Sequence, residues 1–257
     1  MNDLTMLFCT CDAYIDLCDN FFALLKRYWP EYDGTVIFNS DKTNYHNDSY
    51  HLINVEHPYP NSSWSQRLFD SLKLVETEFV ILFLDDFYLE SKVNNSEFLK
   101  CLTYMKKHKN VKEIAFTKEP GIKRKKISEL GDFSFRRHLS LYKITAHIAI
   151  YRTSFLKNIL KRNENAWEFE VNGTFRSFFK KGSFICKTND HFTFPYHYGL
   201  LVRQGKYDRG LKEYFEKKEN LVFANRPFAD ECLPQKKKSK VKYFISGLKS
   251  FFSKRPL

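Results

Sequence analysis

Residues 79–84, Phe-Val-Ile-Leu-Phe-Leu, form an unbroken apolar run that stops on two adjacent acids, Asp85 and Asp86. A run of this length, rich in β-branched and aromatic residues, reads as a buried strand. The acids then sit at its carboxyl end, where open α/β sheets place their ligands. Two carboxylates at a strand end repel each other and resist burial, so a positive group should hold them; a divalent cation with oxygen ligands is the economical candidate. The alternative is that Asp86 merely caps a turn.

The rest of the chain alternates strands with helices. Strands are expected at 4–9, 35–38, 52–55, 111–117 and 144–151. Helices are expected at 16–28, from the N-cap Ser62 or Ser63 to about 75, at 96–108, and at 153–160. This alternation predicts an α/β fold with a mostly parallel central sheet. Residues 118–143 read as a basic, irregular insert. Its run Lys123-Arg124-Lys125-Lys126 either binds phosphate or is a solvated loop. Residues 166–170, Ala-Trp-Glu-Phe-Glu, interleave acids with large aromatics, which is unusual for a surface helix.

Charge narrows the partners. The 257 residues carry a formal charge of +12 with a pI near 9.3, which calls for nucleic acid, an acidic membrane or a phosphate-bearing substrate. No zinc spacing, aromatic RNA-binding motif or helix-turn-helix is evident, so a nucleic-acid partner is not expected. The six cysteines show no paired spacing, and neither a basic-then-apolar leader nor a membrane-length apolar run is present. A reduced, cytoplasmic protein is expected.

Over residues 4–210 the order of motifs resembles that of bacterial glycosyltransferases of the GT-A type, close to the family-2-like enzymes of capsule and lipopolysaccharide synthesis. Thr10-Cys11-Asp12 stands at the first nucleotide-contacting turn, and Asn39-Ser40-Asp41 where a second strand supplies an acid near the base or ribose. Ser65-Gln66-Arg67 and then Asp85-Asp86 resemble the Ala-Arg-Asn helix and the Asp-x-Asp motif. This chain has Asp-Asp-Phe instead, which leaves open which carboxylate ligates the metal. Trp167-Glu168-Phe169-Glu170, then Arg176 and Lys180-Lys181-Gly182, resemble the family's Trp-x-Glu-Asp loop, downstream Arg and Arg-Lys-Gly turn.

The resemblance implies a Rossmann-like GT-A domain over residues 1–232 that moves a sugar from a nucleotide-sugar donor, a UDP-hexose, to a glycan or lipid-linked acceptor. It places donor contacts at Thr10, Asp12, Asp41, Ser65, Arg67, Asp85, Trp167, Arg203 and Lys206, with Arg67 and Lys143 as cations for the diphosphate. Asp85, Asp86 and His197 would hold Mn2+ or Mg2+, the imidazole favouring manganese. Glu170 maps onto the general base of inverting members, and Glu168 is the alternative; both acids could instead cap a helix. A catalytically inactive scaffold of the same fold and a basic nucleic-acid-binding protein are the alternative readings. Residues 199–210 suit a lid. His147, inside an apolar strand, reads as a hydrogen-bonded core residue.

Residues 233–257 change character. Tyr243, Phe244, Leu248, Phe251 and Phe252 fall at helical spacing among lysines, the pattern of an amphipathic helix on an anionic membrane. This tail would hold the enzyme at the inner face of the cell membrane, beside a lipid-linked acceptor.

Overall fold

Four parallel strands form the half of the sheet that carries the acids. In the computed structural model, which describes residues 3–59, 61–118, 125–197 and 201–229, β1 (Leu4–Cys9) lies between β2 (Val36–Asn39) and β4 (Phe79–Leu84), with β3 (Leu52–Asn54) outside β2. The register aligns Cys9 with both Asn39 and Leu84. Three neighbouring strands therefore end level, and the residues after each meet at one edge.

The second half is mixed. β7 (Ala149–Arg152) pairs antiparallel with β4 and with β5 (Val111–Lys118). Beyond it, β8 (Ser183–Lys187) runs parallel to β5, and β6 (Phe133–Phe135) closes the edge antiparallel to β8. Six of the eight strands share one direction, so the fold is the α/β fold with a mostly parallel sheet that the alternation predicts.

β4 alternates Phe79, Ile81 and Phe83 into one core with Val80 and Leu82 into the other. A strand covered on both faces has no polar side, which is why its sequence is continuously apolar. The first face is covered by α1 (Cys18–Tyr28), α3 (Asn95–Lys107) and α6 (Arg209–Glu219). The second is covered by α2 (Trp64–Lys73), α4 (Thr153–Ile159) and α5 (Ala166–Ser177). Ser63 caps α2 by accepting from the Gln66 amide at 3.2 Å.

Some expected elements differ. Residues 12–17 form a 3-10 turn ahead of α1, because the Asp12 side chain is drawn across to the next strand's turn. The strand expected over 144–151 begins only at Ala149. Upstream, Tyr151 Oη donates to the Thr145 carbonyl and accepts from its amide at 3.1 Å, and Glu170 takes the Ala146 amide. With these backbone groups bonded to side chains, the ladder cannot extend. The expected irregular insert contains β6. Residues 233–257, with the expected amphipathic tail, lie outside the described residues, as do Lys123 and Arg124. Cys9, Cys11, Cys18, Cys101 and Cys186 are free thiols. Among the described residues no helix is long and apolar enough to cross a membrane.

Candidate active site

The turns after β1, β2 and β4 are tied together by their own side chains. Thr10 Oγ1 donates to Asp85 Oδ2 at 2.6 Å across the β1–β4 seam. Asp12 Oδ1 accepts from the amides of Lys42 and Thr43, each at 3.0 Å, and Asp41 Oδ2 accepts from the Asp12 amide at 3.1 Å. Arg67, buried in the first turn of α2, pairs with Asp41 and donates to the Thr10 carbonyl at 3.2 Å. Thr10, Asp12, Asp41, Arg67, Asp85 and Asp86 are thus gathered at one edge. β1 is the strand from which the chain departs in both directions, to β2 on one side and β4 on the other, so this edge is a topological switch point.

Electrostatics mark the aspartate pair. Burial, and then the charge of Asp86, pushes the Asp85 carboxyl well above its usual range; burial does the same to Asp86. Asp12 goes the other way: desolvation raises it, but the amides of Lys42 and Thr43 outweigh this and hold it low. A divalent cation suits Asp85 and Asp86, because it would relieve the repulsion of two buried anions with the oxygen ligands it prefers. Among the described residues no three His, Cys, Asp or Glu side chains form a metal cluster. A cation here would complete its shell from water or ligand phosphates. His197 is exposed, and among the described residues it does not join the two aspartates in such a cluster.

One cation that the sequence did not flag acts on Asp85. Arg226 bears electrostatically on Asp85, pairs with Asp16, donates to the Ala13 carbonyl and lies 5.0 Å over the Tyr14 ring. The region expected as a lid holds a hairpin of β9 (Val202–Arg203) and β10 (Lys206–Tyr207). Its Gly205 amide donates to Tyr14 Oη at 3.0 Å, and Tyr207 Oη bonds Asp16 at 3.3 Å. Arg203 and Lys206 are exposed on this hairpin.

Glu170 faces the bend before β7. Its Oε1 accepts from the Ala146 amide at 2.8 Å and from Thr145 Oγ1 at 3.1 Å, while burial lifts its carboxyl above the ordinary range. The next residue in that bend, His147, stacks on Phe87 with ring centres 5.4 Å apart and bonds Tyr196 Oη at 3.0 Å. Burial holds the imidazole near 4, so it is neutral, as expected of a hydrogen-bonded core residue. Through Phe87 the Glu170 bend therefore abuts the residue that follows the aspartate pair. Trp167, 70% exposed, stands on the first turn of the same helix.

Other expected contacts have structural partners. Glu168 completes a capping box with Asn165, the helix-cap alternative raised from sequence. Ser65 is fully buried and bonds the Glu164 amide at 3.0 Å, joining α2 to the start of α5. Arg176 forms a two-pronged buried pair with Glu164 at 2.7 and 2.8 Å. Lys143 is buried, 4.4 Å over the Phe184 ring.

No known protein-family signature matches the chain, and no curated protein sequence matches it. Among solved structures it is similar to S. aureus TarS 1–349, at 13% identity and a TM-score of 0.48, over 72% of this chain and 60% of that one. The same protein in complex with UDP-GlcNAc gives 12% and 0.47, over 74% and 60%. Glucosyl-3-phosphoglycerate synthase from Mycobacterium tuberculosis, in complex with Mn2+ and UDP-glucose, gives 9% and 0.42, over 70% and 65%.

Proposed function

We propose that this chain is a metal-dependent, inverting glycosyltransferase that uses a UDP-hexose. The observation that carries the reading is the convergence of Asp85 and Asp86 with Thr10, the Asp41–Arg67 pair and Arg226 at the carboxyl ends of β1, β2 and β4. An acidic pair beside guanidinium groups suits a ligand that brings both a cation and phosphates.

Asp85 and Asp86 would hold Mn2+ or Mg2+, which supplies Lewis-acid neutralisation of the diphosphate leaving group. Arg226 adds positive charge as the anomeric carbon–oxygen bond breaks and that bond's electrons pass to the diphosphate. Glu170 accepts the proton of the acceptor hydroxyl as its oxygen bonds the anomeric carbon; its raised affinity for protons makes it a better base than a solvated carboxylate. The Ala146 amide and Thr145 hydroxyl orient it. Trp167 offers an aromatic face to a sugar ring. The acceptor is a glycan or lipid-linked saccharide of bacterial surface polysaccharide synthesis. The catalytic domain spans residues 1–232 and works at the cytoplasmic face of the membrane, with residues 233–257 as a membrane-associating tail.

The test is a thermal-shift screen of nucleotides with and without Mn2+, followed by UDP-hexose hydrolysis in Asp86→Asn. Selective stabilisation by UDP with Mn2+, and hydrolysis lost in a folded variant, support the proposal. Hydrolysis unchanged in that variant refutes it.

A further inference from the structure

The turn between β6 and β7 and the chain following α5 lie side by side. Arg136 donates its amide to the Phe184 carbonyl at 2.7 Å, the His138 and Phe178 rings are 5.9 Å apart, and Lys143 lies over both Phe178 and Phe184. The turn is closed from inside, with the buried Arg136 donating to the Tyr142 carbonyl and the Ser140 amide to that of Arg137 at 3.1 Å. Tyr142 adopts a left-handed φ of 53° to complete it. A turn shaped this way pushes its remaining side chains outward.

Those side chains are large and apolar. Leu139 is 71% exposed and Phe179 66%, with Phe135 and Leu141 at nearly half. Exposed Arg137, Lys180 and Lys181 flank them and take part in no ion pair among the described residues. Residues 133–143 and 175–183 contain no Asp or Glu. Single exposed leucines are ordinary, whereas several on two adjoining segments whose own charged residues are all basic are not.

We propose that this patch docks on an anionic lipid surface, with Leu139, Leu141 and Phe179 entering the headgroup–acyl boundary and Arg137, Lys180 and Lys181 meeting lipid phosphates. Projecting apolar side chains ringed by cations match an interfacial membrane contact, in which apolar burial and attraction to acidic lipids act together. The same turn continues through Lys143 and Ile144 to the Thr145–Ala146 bend that holds Glu170. Docking would therefore bring that bend close to the bilayer, although the lipid contact does not depend on the sugar-transfer reading.

The experiment is co-sedimentation of the full chain with phosphatidylglycerol vesicles and with phosphatidylcholine vesicles. The C-terminal segment is left intact in every variant. Binding is expected to phosphatidylglycerol alone. It should weaken about tenfold or more in the triple variant Leu139→Ser, Leu141→Ser, Phe179→Ser, and lose most of its salt sensitivity in Lys180→Glu, Lys181→Glu. Circular dichroism confirms folding, and the charge variant carries the test should the triple variant fail. Full binding by both variants, equal binding to both lipids, or no binding by the parent overturns the proposal. So does a parent that ignores vesicles but is a dimer that the triple variant splits, which would make the patch a protein interface.

Discussion

Thr10 and Asp85, 75 positions apart in sequence, join their side chains at 2.6 Å where β1 and β4 end together. The hydroxyl is the side-chain hydrogen-bond donor to a carboxylate that burial already disfavours as an anion. Thr10→Val keeps the shape and removes the donor. Leaving a buried acceptor unmet costs about 1–3 kcal/mol. The expected outcome is a folded protein whose Mn2+ requirement in UDP-hexose hydrolysis rises about tenfold, read from a metal titration of the rate.

Glu170 and Glu168 stand two positions apart on α5, on opposite faces of the helix, and should differ in their consequences. Glu170→Gln should lower turnover about a hundredfold or more while UDP binding stays as in the parent. Glu168→Ala instead breaks the capping box and should cost about 1 kcal/mol of stability with turnover little changed. Calorimetric UDP binding, turnover and urea unfolding on both variants distinguish the roles; equal turnover in the two would count against Glu170 as the base.

The Arg176–Glu164 pair sits wholly inside the protein, with Arg176 Nε also bonded to the Ile159 carbonyl at 2.8 Å and Asn172 bonded to Glu164 at 3.0 Å. Removing one member strands the other. Arg176→Ala should cost roughly 3–5 kcal/mol in urea unfolding. A loss of activity without this loss of stability would give Arg176 a direct part in the chemistry instead.

Glu113 is fully buried on β5 between its cross-strand neighbours Tyr151 and Phe184, and among the described residues neither carboxyl oxygen has a hydrogen-bond partner within bonding geometry. Burial pushes it up to about 8, against the opposing pull of Arg136; Tyr151, Thr145, Lys143 and Glu170 are the other groups that act on it. The folded-state value lies above the unfolded one. Between about pH 4.5 and 8 the folded protein therefore keeps a proton that the unfolded chain has released, and stability falls as pH rises through that window, by up to about 1.4 kcal/mol per unit. Glu113→Gln removes the effect. Urea midpoints of variant and parent should diverge from pH 5.5 to 8 in the variant's favour, and parallel curves would show that Glu113 does not titrate there.

Arg226 reaches Asp16 and Ala13 across 210 or more positions and lies against Tyr14 and Tyr207. Arg226→Ala should weaken UDP binding about tenfold in calorimetry with Mn2+ present and leave far-ultraviolet circular dichroism unchanged. Arg226→Lys should restore part of the affinity, since an ammonium keeps the charge but not the two-pronged geometry.

Local pattern alone determined the frame of this protein: the apolar run of β4, the helical spacing of α2, an N-cap at Ser62 or Ser63, and the acids that end three strands. Each is a short-range consequence of period, propensity and the rule that strand ends in an α/β sheet face ligands. Asp85 was legible for the same reason, while Thr10, Asp41 and Arg67 were singled out by the order of motifs rather than by pattern: the first two follow strands and Arg67 stands on the helix before β4. Tertiary structure decided what distance in sequence hides. It bent the chain at Thr145 and Ala146 out of the ladder by giving their amides to Tyr151 and Glu170, buried Lys143 against Phe184, committed Glu168 to a cap and Ser65 to a helix joint, and brought Arg226 onto Asp16, where its charge also bears on Asp85. A side chain's partner is set by the free energy of the whole packed core, and periodicity over a dozen residues carries no information about a group two hundred positions away.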